Sequence, residues 1–528
     1  MSEPTPAPAA SSAPKAADAA RIAAGYATTG AVLSFGSVVL DNVAYPEAQI
    51  AVPLAMMNRH GLIAGATGTG KTKTLQGLTE QLSAAGVPVV VADIKGDLSG
   101  LAQPGVANDK ITQRAKDTND QWTPTAFPVE FFALGGVGTG IPLRATMTSF
   151  GPTLLAKVLQ LNDTQESSLN LVFHYADKAG LSLLDLKDLR AVIQYLTSDE
   201  GKADLAQLGG LSSATAGVIL RDLIALEDEG GDQFFGEPEF ETKDLLRTTP
   251  DGKGIISSVE LNNLQERPQL FSTFLMWLLA DLFHELPEIG DADKPKLIFF
   301  FDEAHLLFEG ASKEFLQAVT QTVRLIRSKG VGVFFVTQNP QDVPDDVLGQ
   351  LGNRVQHALR AFTPDDAAAL AKAVKTYPKT SDYDLSEALQ HLGIGEAIVT
   401  VLSETGAPTP VAWARMRAPR SLMAQIEPAA QQAAVAASPL QATYGQAIDR
   451  ESAYEKLNAK LNQAPPDTPA SAPPSTPAPQ APTKSAKHDD EGGVEKVLKS
   501  PAFKSFARSA ATVLGREITR SIFGTRKR

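Results

Sequence analysis

Gly61-Leu62-Ile63-Ala64-Gly65-Ala66-Thr67-Gly68-Thr69-Gly70-Lys71-Thr72-Lys73 joins a short apolar run to a glycine-rich turn, and a helical pattern of Leu75, Leu78 and Leu82 follows it. Gly65 to Thr72 fit the pattern Gly-x-x-x-x-Gly-Lys-Thr in the strand–turn–helix setting that the motif requires. The glycines let the loop curl so that successive N–H groups face phosphate oxygens, and the helix that follows adds its positive end. The spacing therefore predicts a site for ATP with Mg2+ built from Gly65, Ala66, Thr67, Gly68, Thr69, Gly70, Lys71, Thr72 and Lys73. Lys71 is expected on the β- and γ-phosphates and the Thr72 hydroxyl on the metal.

Working outward, the second half of such a site is an acid at the end of a buried strand. Leu297-Ile298-Phe299-Phe300-Phe301-Asp302-Glu303 supplies one. Asp302 is expected to hold Mg2+ through its water shell, and Glu303 to orient or deprotonate the attacking water. Val331 to Thr337 is a third apolar run, and it ends in Gln338. Gln338 either contacts the γ-phosphate or the water, or caps the turn at Asn339-Pro340. Asp93-Ile94-Lys95-Gly96-Asp97 follows another apolar run and reads equally as part of a ligand crevice or as a plain turn.

Apolar runs at 61–64, 87–92, 127–133, 254–261, 297–301, 331–337, 355–359 and 397–401 alternate with helical patterns. That alternation predicts an α/β fold, a RecA-like core with a mainly parallel sheet covered by helices. Between Phe150 and Leu246 the period changes to three and four, which predicts an inserted helical subdomain. The expected organisation is disorder over 1–25, the first part of the core over 26–149, the insertion over 150–246 and the second part of the core over 247–420. A helical extension over 421–462, a Pro/Ala-rich disordered linker over 463–493 and a basic amphipathic helix over 494–528 complete it.

With 528 residues, 43% of them apolar, the chain can bury a large core. The apolar run Phe271 to Phe283 is interrupted by Asp281 and is shorter than the roughly 20 residues a bilayer needs. The N-terminus lacks the layout of a secretory signal, so the cytoplasm is the expected compartment. Cysteine is absent and the seven histidines show no ligand spacing, which excludes disulfides and thiolate metal sites and leaves no reason to expect zinc. A net charge of −12 disfavours indiscriminate coating by nucleic acid and confines any DNA contact to a local surface.

Taken together, the phosphate loop, Val91-Ala92-Asp93-Ile94-Lys95-Gly96-Asp97, Phe301-Asp302-Glu303-Ala304-His305 and Val336-Thr337-Gln338-Asn339-Pro340 resemble the HerA-like ATPases of the HerA/FtsK superfamily. The similarity is greatest to the YjgR-type bacterial family and runs from about Gly30 to about Arg417. The resemblance implies a RecA-like motor core, Mg·ATP hydrolysis, a homohexameric ring and translocation of DNA. Asp302-Glu303-Ala304-His305 also spells the box of the DEAH RNA helicases, but the chain encodes one RecA-like core and lacks their arginine-rich motif.

Ring ATPases commonly complete each site with an arginine from the adjacent subunit. Arg354 and Arg327 are the candidates, and an ordinary surface salt bridge or helix-end cation explains either as well. In the tail, Phe503, Phe506, Val513, Leu514, Ile518 and Ile522 oppose Lys504, Arg508, Arg516 and Arg520 across one helical pattern. That helix suits docking on the ring or a partner protein, an anionic membrane surface, or nucleic acid. The expected function is an ATP-driven ring motor on DNA; the alternative is a nucleotide-gated scaffold that recruits partners through the tail.

Overall fold

The computed structural model describes residues 13–261, 268–290, 292–309 and 313–462. The predicted linker and terminal helix lie outside them. The described chain divides into two compact units, one taking in residues up to Ala145 and Leu226–Ile448, the other Thr146–Ala225 and the chain from Asp449.

All strands belong to the first unit: β1 (Val32–Leu40), β2 (Val43–Pro53), β3 (Gly61–Ala64), β4 (Val89–Asp93), β5 (Val129–Leu134), β6 (Ile141–Leu143), β7 (Ile256–Glu260), β8 (Leu297–Phe301), β9 (Val331–Thr337), β10 (Asn353–Gln356), β11 (Glu396–Thr400) and β12 (Ala412–Met416). They form one sheet in the order β2-β1-β12-β11-β10-β3-β9-β8-β4-β7-β5-β6. From β10 to β6 every pairing is parallel. The other four strands add on antiparallel. The fold is thus α/β with a mainly parallel sheet, and β3, β4, β8 and β9 are buried along their whole length, as strands covered on both faces must be.

Two sequence expectations need correction, and one hairpin was not expected at all. Residues 13–24 of the stretch expected to be disordered form a helix, Ala13–Ala24. Alanine, read as low complexity, is also the best helix former, and Ala19 and Ile22, three apart, are fully buried in the same core cluster as residues of β1 and β2. The run expected as a strand at 355–359 pairs only as Asn353–Gln356. Its start was obscured because Asn353 is polar, yet it is buried with its amide on the Met56 and His60 carbonyls; its last residues leave the sheet for the phosphate loop. The hairpin of β1 and β2 is not among the strands expected from the sequence. Its signal was present: Leu40 pairs with Val43 across Asp41 and Asn42, both at positive φ, a two-residue turn that Asp and Asn favour.

The second unit is helical, with Met147–Val158, Asp163–Lys178, Leu186–Thr197 and Lys202–Leu208 joined by Ala453–Asn462. Asn162 and Gln165 make a capping box at the start of the second of these helices, and Asp185 and Asp188 do so at the third. Buried Asp188 also accepts the Tyr454 amide at 2.9 Å, which ties the last helix to Leu186–Thr197.

Candidate active site

The glycine-rich loop runs from the end of β3 into the helix Lys71–Ala84. Glycine is required at two positions, at one by close packing and at the other by backbone conformation. A Cβ on Gly65 would fall 2.5 Å from the His357 Cβ, and Gly68 stands at φ +78 with nothing within 4 Å of where its Cβ would be. The loop is therefore held tightly at its base and open at its crown. Gly65 N donates to Thr337 O at 3.2 Å, Ala66 N to Ala358 O at 2.8 Å, and Gly395 N to Thr69 O at 2.9 Å.

His357 braces this base. Its Nδ1 lies 2.8 Å from Glu396 O and its Nε2 2.9 Å from Thr74 Oγ1. A carbonyl can only accept, so Nδ1 carries the proton and Nε2 accepts from the threonine. Burial, followed by the favourable Glu396 contact and the repulsive charge of Lys71, leaves its pKa at about 4, so the ring is neutral.

Lys71 is buried and its ammonium donates to the Gly65 and Ala66 carbonyls at 2.7 and 3.2 Å, inside its own loop. Burial pulls its pKa down, while the charges of Glu303 and Asp302 oppose that. Thr72 follows it at the start of the helix. Lys73 points elsewhere, donating to Gln76 Oε1 and Met423 O at 3.2 and 3.1 Å.

In the sheet, β9 lies between β3 and β8, so Gln338 at its end sits between the phosphate loop and the acids at the end of β8. Asp302 is 3% exposed and its Oδ1 accepts the Glu303 amide at 2.9 Å. Burial first, then the neighbouring Glu303 charge, lifts Asp302 to about pH 7. A dication beside it would restore the ionised form, and with the Thr72 hydroxyl and an open, donor-lined loop the residues fit a metal-bound nucleotide phosphate.

Glu303 is buried and sits at φ +49, a left-handed conformation that costs a non-glycine residue about 1–3 kcal/mol and persists only where surroundings enforce it. Its Oε1 is ion-paired with Lys95, and His305 Nδ1 lies 3.3 Å from Oε2 without hydrogen-bond alignment. Burial works to raise the Glu303 pKa, but the bond and charge of Lys95, with smaller help from His305 and Gln338, hold it below the usual value. Gln338 is exposed and does not cap the turn after it. Asn339 accepts Gln341 N at 3.1 Å and Asp342 accepts Asn339 N at 3.0 Å, so those two residues do.

The two arginines lie apart from this cluster. Arg354 is half-buried on β10, donating to the Leu351 and Leu348 carbonyls at 3.4 and 3.3 Å. Arg327 is exposed and its charge acts on His60, which precedes β3 at the end remote from the phosphate loop.

Sequence reasoning missed a strap formed by Arg420 to Met423 on the helix of the phosphate loop. Buried Glu80 accepts the amides of Arg420 and Ser421 at 2.8 and 2.9 Å, and Gln76 donates to Leu422 O at 2.9 Å. No local pattern announces it, since the partners are some 340 residues apart. His357 was likewise passed over, because a histidine within an apolar run carries no motif.

A glycine-rich loop after β3, a polar residue ending β9 and paired acids ending β8 define the RecA-like phosphate-loop fold. The chain belongs to the helicase HerA-like C-terminal family, whose model matches residues 40–528. The DNA import protein CedB of Sulfolobus acidocaldarius is 22% identical over 67% of this chain and 52% of its own length. The DNA double-strand break repair helicase HerA of Saccharolobus solfataricus is 21% identical over 70% of this chain and 65% of its own. The chain thus spans between about half and two thirds of the length of these relatives. A solved structure of the plasmid coupling protein TrwB with ADP and Mg2+ is similar at 15% identity and a TM-score of 0.49, covering 78% of this chain and 93% of that one.

Proposed function

We propose that the chain is an Mg2+-dependent ATPase whose turnover drives a homohexameric ring along DNA. The observation that supports it most is the convergence of Lys71, Asp302 and Glu303, whose charges act on one another across β9 although they come from strands far apart in the sequence. Family membership, together with similarity to the DNA import protein CedB and the DNA double-strand break repair helicase HerA, favours DNA as the polymer.

In this reading the loop amides and Lys71 bind the phosphates, with Lys71 moving from the Gly65 and Ala66 carbonyls to the β- and γ-phosphate oxygens. Thr72 would hold Mg2+ directly and Asp302 through water, and the ion would supply charge neutralisation on those oxygens. Glu303 orients the water and takes its proton as the oxygen bonds to the γ-phosphorus. The bond from that phosphorus to the β-bridging oxygen breaks, giving ADP and inorganic phosphate. Gln338, between loop and base, reports which nucleotide is bound in this reading.

For the arginine supplied to a neighbour, exposure favours Arg327, since Arg354 is half-buried on β10. The test of the whole reading is ATP turnover alone and with single-stranded DNA, duplex DNA or RNA. Stimulation by DNA is expected, and Glu303→Gln should bind nucleotide yet lose about 10²-fold or more in turnover, the worth of a positioned base. Turnover indifferent to every polymer would remove the motor reading and leave the scaffold.

A further inference from the structure

Lys95 is a cation at the centre of this site to which the mechanism above assigns no work. It follows β4 in a turn whose backbone is pinned: Asp93 accepts Gly96 N at 2.7 Å and Leu98 N at 3.0 Å, and Gln425 Nε2 donates to Lys95 O at 2.9 Å. Its side chain, by contrast, is 48% exposed while the Glu303 it pairs with is 5% exposed. The stem can swing although the backbone cannot. The paired state is poorly suited to catalysis, because an ammonium on Glu303 Oε1 neutralises the carboxylate and makes it a weaker base, even with Oε2 open to a water. The same ammonium is close enough to repel Lys71, the residue expected on the terminal phosphates.

We propose that Lys95 is a triphosphate-responsive catalytic residue: it stays on Glu303 in the absence of a γ-phosphate, and moves to an oxygen of that phosphate when a nucleoside triphosphate binds. The move releases Glu303 to hold the attacking water. It rests on the reading of Glu303 as the base. The physical reason is competition between anions. A γ-phosphate brings more charge and three acceptor oxygens against the single carboxylate, whereas a diphosphate offers nothing at that position. Lys95 thereby distinguishes ATP from ADP and keeps the base idle in the ADP state.

The test is calorimetric affinity for ADP and for the non-hydrolysable β,γ-imido analogue of ATP, with ATP turnover, in wild type, Lys95→Ala, Lys95→Met, Glu303→Gln and Lys95→Ala/Glu303→Gln. Both Lys95 variants should bind the imido analogue about 10- to 100-fold more weakly, the range for a lost bond to a charged group, with ADP affinity unchanged. Their turnover at saturating ATP should fall as well. Glu303→Gln, which no longer competes for the ammonium, should bind the analogue more tightly than wild type, and that gain should vanish in the double variant. Equal effects of Lys95 substitution on both nucleotides, or faster turnover without it, would overturn the proposal. Wild-type turnover by Glu303→Gln would instead remove the base assignment, so the two failures are told apart.

Discussion

Lys71 is the residue on which nucleotide affinity should depend most, because the rest of its loop offers neutral donors. In this structure its ammonium already lies on two loop carbonyls, so phosphate binding exchanges those bonds for charge-assisted ones. Lys71→Ala is expected to abolish or severely weaken ATP binding, and titration with a fluorescent ATP analogue checks it. Unchanged affinity would remove the loop from the site. At this scale the glycine-rich loop was legible because its chemistry is local: backbone donors, one lysine and the Thr72 hydroxyl within eight consecutive residues. The pairing of Lys95 with Glu303, 208 residues apart, was not, and Asp93 to Asp97 read as well as a turn.

At the scale of elements, two attachments to the core make predictions. Glu80 holds the Arg420 and Ser421 amides where water does not reach. Glu80→Ala should therefore destabilise the fold by at least about 1–3 kcal/mol, the cost of one orphaned buried donor, with Glu80→Gln losing less because it keeps an acceptor. Denaturant unfolding of the two variants would show it; equal stability would mean that the strap is not fastened there. The helix Ala13–Ala24 buries Ile22 completely, and Tyr26 just after it donates to Val399 O at 2.8 Å. Removing residues 1–24 should cost about 1.5–3 kcal/mol for Ile22 alone, read as a lowered Tm. A truncated chain as stable as the whole would return this stretch to a passive arm. Strands β3, β8 and β9 matched their apolar runs residue for residue, since a strand covered on both faces is apolar throughout. The antiparallel strands β1, β2 and β12 escaped because they mix small and polar residues with apolar ones, and their pairing depends on partners far along the chain.

For the whole molecule, the sheet puts exposed Arg327 near His60, at the end of β3 opposite its own phosphate loop, so a nucleotide phosphate that it meets would be a neighbouring subunit's. Mixing inactive Arg327→Ala chains with inactive Lys71→Ala chains should restore partial hydrolysis, since some interfaces would join an intact loop to an intact arginine. The same mixture with Arg354→Ala is the control, and it should show that variant active on its own. No recovery in verified mixed rings would exclude Arg327. Among the described residues no helix is long and apolar enough to cross a membrane, in keeping with the interruption of the longest apolar run by Asp281. Asp281 is instead one of the partners of Thr242, which donates to it at 2.5 Å. The amino-acid sequence alone was enough for the α/β class and for the places of the glycine-rich loop after β3 and the paired acids after β8, because apolar runs and contiguous motifs encode burial and backbone chemistry locally. Which strand stands beside which, and so the meeting of Gln338, Glu303, Lys95 and Lys71, was decided only in the folded sheet. Strand order depends on crossovers and on hydrogen bonds between segments hundreds of residues apart, and no periodicity along the chain records those.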